Sequence, residues 1–145
     1  MKFHRLSSAL ASAGLAIASI TGFSVVTFSS PITKAAIAQE SAPTVTTTSS
    51  ANQIALAKHL RKIGAKLYTA YWCPHCHSQK QRFGKEAAKQ LEVVECDRGG
   101  VNPQTQLCRD KRVRFYPTWE INGKLYPGNH SLESIANFSK YHGNL

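Results

Sequence analysis

The chain has 145 residues, with 18 Lys and Arg against 8 Asp and Glu, a formal net charge of +10, and four cysteines. That length allows one domain at most beyond any targeting segment. The basic residues are scattered along Lys58–Lys66, Lys80–Lys89 and Arg109–Arg114 without a dense run, which describes a solvated basic surface better than a nucleic-acid footprint.

The N-terminus has the pattern of a leader. Lys2 and Arg5 form a basic start, Ser8 to Phe28 is an uncharged stretch rich in Ala, Ser and Gly, and Ala36-Ile37-Ala38 before Gln39 fits a small-x-small cleavage rule. Residues 1–38 are therefore read as a signal peptide, with an uncleaved N-terminal anchor as the alternative, since the stretch is long enough to span a bilayer. Either reading places the remainder across an export membrane, in a periplasm or a thylakoid lumen. Less the three basic residues of the leader (Lys2, Arg5, Lys34), the exported part still carries 15 Lys and Arg against 8 acids. Export argues against a nucleic-acid partner.

Residues 39–52, "QESAPTVTTTSSAN", are polar and aperiodic and read as a disordered linker. The folded part is then 53–145. Asn52 is positioned to cap a helix to about Ile63, with Ile54, Ala57, Leu60 and Ile63 on one face and Gly64 ending it. Ala65–Trp72 reads as a buried strand. A helical pattern runs from Cys73 to about Leu91, bent at Gly84, and Leu91–Cys96 is a second strand, parallel to the first and pairing Tyr71 with Val94. Pro103 suits the first turn of a short helix through about Lys111. "PTWEINGKLYPG" reads as a hairpin turning at Asn122-Gly123. A last helix follows Ser131, with Leu132, Ile135, Ala136 and Phe138 available to pack. The order β-α-β-α-β-β-α after the first helix gives an α/β domain, a mixed sheet with helices on both faces.

Where the first strand hands over to a helix stands Trp72-Cys73-Pro74-His75-Cys76-His77. A cysteine at a helix start meets unpaired backbone N–H groups and the positive end of the helix dipole, and both favour thiolate. Cys73 is thus the expected nucleophile, with a depressed pKa. Cys76, one turn on and less exposed, is the resolving thiol. Pro74 fits the first turn, and His75 is placed to stabilise the Cys73 thiolate. A stabilised reduced form makes the disulfide a stronger oxidant. The alternative is a metal cluster of Cys73, His75, Cys76 and His77. It is disfavoured because zinc sites draw on four ligands, often as two close pairs, and the other cysteines, Cys96 and Cys108, stand 12 apart. An exported domain seldom leaves two thiols free. Cys96 and Cys108 are expected to pair, as a staple closing the Asp97–Leu107 loop or as a second redox couple, with the staple favoured. Such a loop is worth about 3 kcal/mol in the chain-entropy picture.

"WCPHC" resembles the active site of thioredoxin-fold oxidoreductases, in the Cys-Pro-His-Cys version carried by DsbA-type oxidants, and Val113–Gly128 resembles the second half of that fold. The resemblance implies a thioredoxin-like fold in which Pro117 is cis and lies against the dithiol. It makes Trp72, Pro74, Tyr116 and Thr118 candidates for a substrate groove. "YWCPHC", Phe83-Gly84, "VEC", and "YPTW" before "ING" together resemble the thioredoxin-like domain fused to bacterial and plant homologues of vitamin K epoxide reductase, over about Ala57–Asn137. Leu67 stands six residues before Cys73, where thioredoxin proper carries a buried acid, which argues against a general reductant. The multi-helix quinone-holding domain of those fusions has no counterpart in these 145 residues. The resemblance therefore implies a protein thiol-disulfide oxidoreductase that oxidises exported substrate proteins, with a reductase or isomerase of exported disulfides as the alternative. Its electrons would pass to a separate membrane-embedded, quinone-linked partner similar to vitamin K epoxide reductase. The reading needs no cofactor and no metal beyond the dithiol.

Overall fold

The computed structural model describes residues 38–145. Residues 1–37 of the expected leader lie outside the described residues. The elements are α1 (Ala51–Lys62), β1 (Lys66–Thr69), α2 (Pro74–Phe83), α3 (Lys85–Ala88), β2 (Glu92–Glu95), α4 (Thr105–Asp110), β3 (Thr118–Ile121), β4 (Lys124–Pro127) and α5 (Leu132–Ser139). They build a four-stranded sheet in the order β2-β1-β3-β4. β1 runs parallel to β2, and β3 is antiparallel to both β1 and β4. Among the described residues no helix is long and apolar enough to cross a membrane.

Alternation along the strands divides the core between the two faces of the sheet. Leu67, Trp119 and Ile121 face one side, where they pack with Leu56 and Leu60 of α1, Phe83 of α2 and Ile135 of α5. Tyr68 and Val94 face the other, against Cys96 and Cys108. Each fully buried Leu, Ile or Phe contributes about 1.5–3 kcal/mol. A disulfide between Cys96 and Cys108 fastens the end of β2 to α4 on this second side. The fold is α/β and thioredoxin-like, a mixed sheet with helices on both faces.

Several boundaries differ from the sequence reading, each for a local reason. β1 ends at Thr69 rather than Trp72, because the chain turns there to start α2, with the Cys73 N–H donating to the Ala70 carbonyl at 3.0 Å. Tyr68, not Tyr71, is the residue opposite Val94. The helix expected from Cys73 to Leu91 is two helices, broken at Gly84, which adopts φ +81°. Ser50 rather than Asn52 caps α1: its hydroxyl accepts from Gln53 N at 3.2 Å while Gln53 Oε1 accepts from Ser50 N at 2.6 Å, a reciprocal capping box. The expected Asn122-Gly123 turn is present, with φ of 50° and 76° at the two residues, the positive values a type I′ hairpin requires.

The segment read as a disordered linker is docked. Its last two residues, Ala51 and Asn52, already belong to α1; the rest forms no helix or strand beyond an isolated bridge at Glu40, but it runs as a strap across α2 and α3. The Thr46 and Thr47 N–H groups both donate to Gln81 Oε1, each at 3.1 Å. Ser49 Oγ accepts from Glu86 N at 3.1 Å and from Ala87 N at 2.9 Å. Gly84 has no side chain with which to cap α3, so a serine 37 residues away in sequence does it. Further toward the N-terminus, the Glu40 N–H donates to the Gly99 carbonyl at 2.7 Å.

The strap makes Gly84 irreplaceable. A Cβ there would stand 2.5 Å from Ser49 Oγ and 2.6 Å from Ser49 N, whereas at Gly64, φ +69°, it would meet nothing within 4 Å. Left-handed backbone costs a side chain about 1–2 kcal/mol, and an overpacked site about 1–3 more. Gly84→Ala is expected to lose about 2–5 kcal/mol by urea or thermal unfolding, and Gly64→Ala only the first part, about 1–2 kcal/mol. Equal losses at the two positions would show that the strap does not pack against α2–α3 in solution.

Candidate active site

The end of β1 and the start of α2 deliver two thiols to one corner of the sheet. Cys73 is the N-cap of α2 in extended backbone, and Pro74 occupies the first turn, where no N–H is needed. The Cys76 N–H donates to Cys73 Sγ at 3.3 Å. Both cysteines are unpaired thiols and buried, Cys73 being 5% and Cys76 1% exposed. Burial, and after it the hydrogen bond with Cys73, pushes the Cys76 thiol up to about 12. The two sulfurs are thus unequal: one is capped by a backbone donor, while the other is held in its protonated form behind it.

Across from Cys73 lies the loop before β3. The Tyr116–Pro117 peptide is cis, and the Tyr116 carbonyl accepts from Cys73 Sγ at 3.6 Å. Trp72, next to Cys73, and Phe115, two residues before Pro117, are 58% and 65% exposed. The Trp72 and Tyr116 rings meet edge to face at 6.4 Å. The Trp72 indole N–H donates to Asp97 Oδ2 at 2.9 Å. That donor, followed by the Gly99 N–H, holds the Asp97 carboxyl below its usual range. The anchored indole gives the dithiol an apolar rim in a fixed orientation.

Of the residues read as groove-lining, Trp72, Pro74 and Tyr116 stand beside the thiols and retain exposed surface. Thr118 does not: it is 1% exposed and its hydroxyl donates to the Phe115 carbonyl at 2.7 Å, closing the loop that presents Phe115 and Tyr116. Its side chain is unavailable to a substrate. His75 is exposed on the first turn of α2, and the polar contacts of Cys73 are with Cys76 and Tyr116. His77 is turned to Gln81. Among the described residues no three His, Cys, Asp or Glu side chains are grouped to hold a metal ion. Leu67 is fully buried beneath the site, so β1 offers no carboxyl there.

Sequence reading missed Phe115, Asp97 and Gln81. Phe115 had a signal in its closeness to Pro117. Asp97 and Gln81 had none, since their partners are 25 and 35 residues away.

No family model matches the chain. It is 44% identical over 100 residues to Thiol-disulfide oxidoreductase LTO1 of Arabidopsis thaliana, a match covering 67% of this chain and 27% of that protein. The chain thus spans about a quarter of the length of the curated relative it matches. It is a thioredoxin-like domain with sequence similarity to a thiol-disulfide oxidoreductase.

Proposed function

We propose that the chain is an exported protein thiol-disulfide oxidoreductase that oxidises the cysteines of substrate proteins through Cys73 and Cys76. In the oxidised form, a substrate thiolate attacks Cys73 Sγ. The Cys73–Cys76 bond breaks, Cys76 departs with the electron pair and takes up a proton, and a mixed disulfide joins substrate to Cys73. A second substrate thiolate attacks the substrate sulfur of that bond, which releases Cys73 as thiolate and the substrate as a disulfide. Two electrons have then moved to the dithiol. Their proposed acceptor is a membrane-embedded, quinone-linked oxidoreductase resembling vitamin K epoxide reductase.

The observation that carries the direction is the Cys76 N–H to Cys73 Sγ hydrogen bond, 3.3 Å at the N-terminus of α2. We read this donor at the nucleophilic sulfur as tilting the pair toward the reduced dithiol, hence toward an oxidising disulfide. The exposed Trp72 and Phe115 supply apolar surface of the kind an unfolded chain would meet. We also assign Cys96–Cys108 to stability rather than electron relay, since the bond lies against the second core, bracketed by Tyr68 and Val94.

Three outcomes test these assignments. With a reduced model substrate, oxidised wild-type protein should be consumed stoichiometrically. Cys76→Ser charged at Cys73 with a single-cysteine substrate should retain that mixed disulfide, a two-cysteine substrate should release itself from the same variant as a disulfide, and Cys73→Ser should trap neither. A Cys73–Cys76 reduction potential above about −200 mV is expected, and one near thioredoxin's, about −270 mV, would instead make the protein a reductase. Replacing Cys96 and Cys108 together by Ala should cost about 3 kcal/mol of stability and leave turnover within about twofold. Lost turnover in a still-folded variant would turn that pair into a relay.

A further inference from the structure

One buried polar atom is unused by this mechanism. Nδ1 of His77 is buried without a hydrogen-bond partner, one helical turn past Cys73, whose carbonyl accepts the His77 backbone N–H at 3.2 Å. An unpaired buried polar group costs about 1–3 kcal/mol, so something must hold the ring in that state.

What holds it is the strap. Gln81 Oε1 accepts from the backbone N–H groups of Thr46 and Thr47, each at 3.1 Å. Backbone N–H groups only donate, so the atom facing them must be the amide oxygen. The amide nitrogen then faces Thr46 Oγ1 at 3.1 Å and His77 Nε2 at 3.0 Å. An amide nitrogen only donates, so His77 Nε2 accepts and the ring carries its proton on Nδ1. The orphaned atom is therefore an N–H. Positions 73, 77 and 81 are spaced four apart, one ridge of α2 running from the strap to the nucleophile.

We propose that the Thr46–Thr47 strap, acting through Gln81, fixes the His77 tautomer and thereby tilts the Cys73–Cys76 dithiol–disulfide balance. His77 is a positioning residue: it places an N–H dipole rather than a lone pair in the turn of the helix that carries the thiols. An N–H dipole favours the anionic, reduced form and so a more oxidising disulfide. Displacing the strap frees Gln81 to rotate and makes the disulfide less oxidising. The proposal rests on the redox reading of Cys73–Cys76.

The test uses the purified full chain. Long-range ¹H–¹⁵N spectra of the wild type should show the Nδ1–H tautomer at His77, a measurement that needs no variant, and an Nε2–H tautomer overturns the proposal. Gln81→Glu keeps the acceptor for Thr46 and Thr47 but sets an oxygen against Nε2, which calls for a proton there; the variant is read at a pH where the same spectra show the His77 ring neutral, hence in the Nε2–H tautomer. Its equilibrium with glutathione should move about fivefold to tenfold toward the disulfide, tenfold being about 30 mV. The added charge could act without the ring, so the same substitution is also made on a His77→Phe background, where the shift should fall below about twofold if the ring is the intermediary. Equal shifts on both backgrounds overturn the proposal. If the wild type forms no Cys73–Cys76 disulfide with glutathione, the redox reading itself fails, and the link to the dithiol with it, whatever the tautomer.

Discussion

The Cys76 N–H meets the Cys73 sulfur at 3.3 Å, and this hydrogen bond is both the cap of α2 and a main polar contact of the candidate nucleophile. Sulfur is a weak acceptor, and helix N-termini are ordinarily closed by the oxygens of Ser, Thr, Asp or Asn. α2 also has no acidic residue in its first turn. It is therefore held along its length instead. Gln53 Nε2 donates to the Arg82 carbonyl at 2.8 Å. Gln79, fully buried, exchanges two hydrogen bonds with the His130 backbone. Gln81 takes the strap. Three glutamine-based clamps reach α1, the approach to α5 and the strap, and Phe83 anchors the far end in the core. A helix whose terminus is left open for chemistry is placed by its tertiary contacts, because its own cap is too weak to place it.

That arrangement explains what the sequence disclosed and what it concealed. The order of elements, the mixed sheet and the Asn122-Gly123 turn are written in local patterns: alternation, period and turn chemistry. Cys73 and Cys76 were readable because a helix start imposes its chemistry on whatever residue stands there. The strap was not readable. A run of Ser, Thr and Pro has the composition of a disordered linker, and its order comes from Gln81, Glu86 and the bare turn at Gly84, none of which leaves a mark within residues 39–52. Thr118 and Phe115 show the same limit from two sides. Both adjoin the Tyr116-Pro117 pair and look equally suited to a groove. In the fold the threonine is buried and spends its hydroxyl on the phenylalanine's carbonyl, while the phenylalanine stands in solvent.

The rim around the dithiol is apolar but not loose. Single exposed aromatics are ordinary, but grouped they mark contact surfaces. Here Trp72 is fixed by Asp97 at its indole N–H and by an edge-to-face contact with Tyr116. Asp97 is in turn fixed by the Gly99 N–H at 2.8 Å, and the adjoining Cys96 is tied to α4 by the disulfide. The second core thus steadies the rim of the site: β2 ends at Glu95, and the residues just beyond it serve both the staple and the tryptophan. On the proposed reading, this is why a bond remote from the chemistry sits in the loop that orients it.

The inequality of the two thiols bears on how such a site would turn over. Cys73 has a donor at its sulfur, and Cys76 is 1% exposed with its thiol pushed up to about 12. When a disulfide between them opens at Cys73, the departing Cys76 is a poor leaving group as thiolate and a good resting thiol once protonated. Opening is therefore coupled to proton uptake at a sulfur that water barely reaches, and reclosure to proton loss from it. Leu67 supplies no carboxyl for this, and Lys80, one turn beyond Cys76, is the cation whose field opposes burial there. A site built this way resists back-attack by Cys76 on a mixed disulfide at Cys73, since the attacking thiolate is scarce. On the proposed reading, the mixed disulfide would then survive long enough for the substrate's own second thiol to resolve it, which is the outcome that distinguishes oxidation of a substrate from unproductive release.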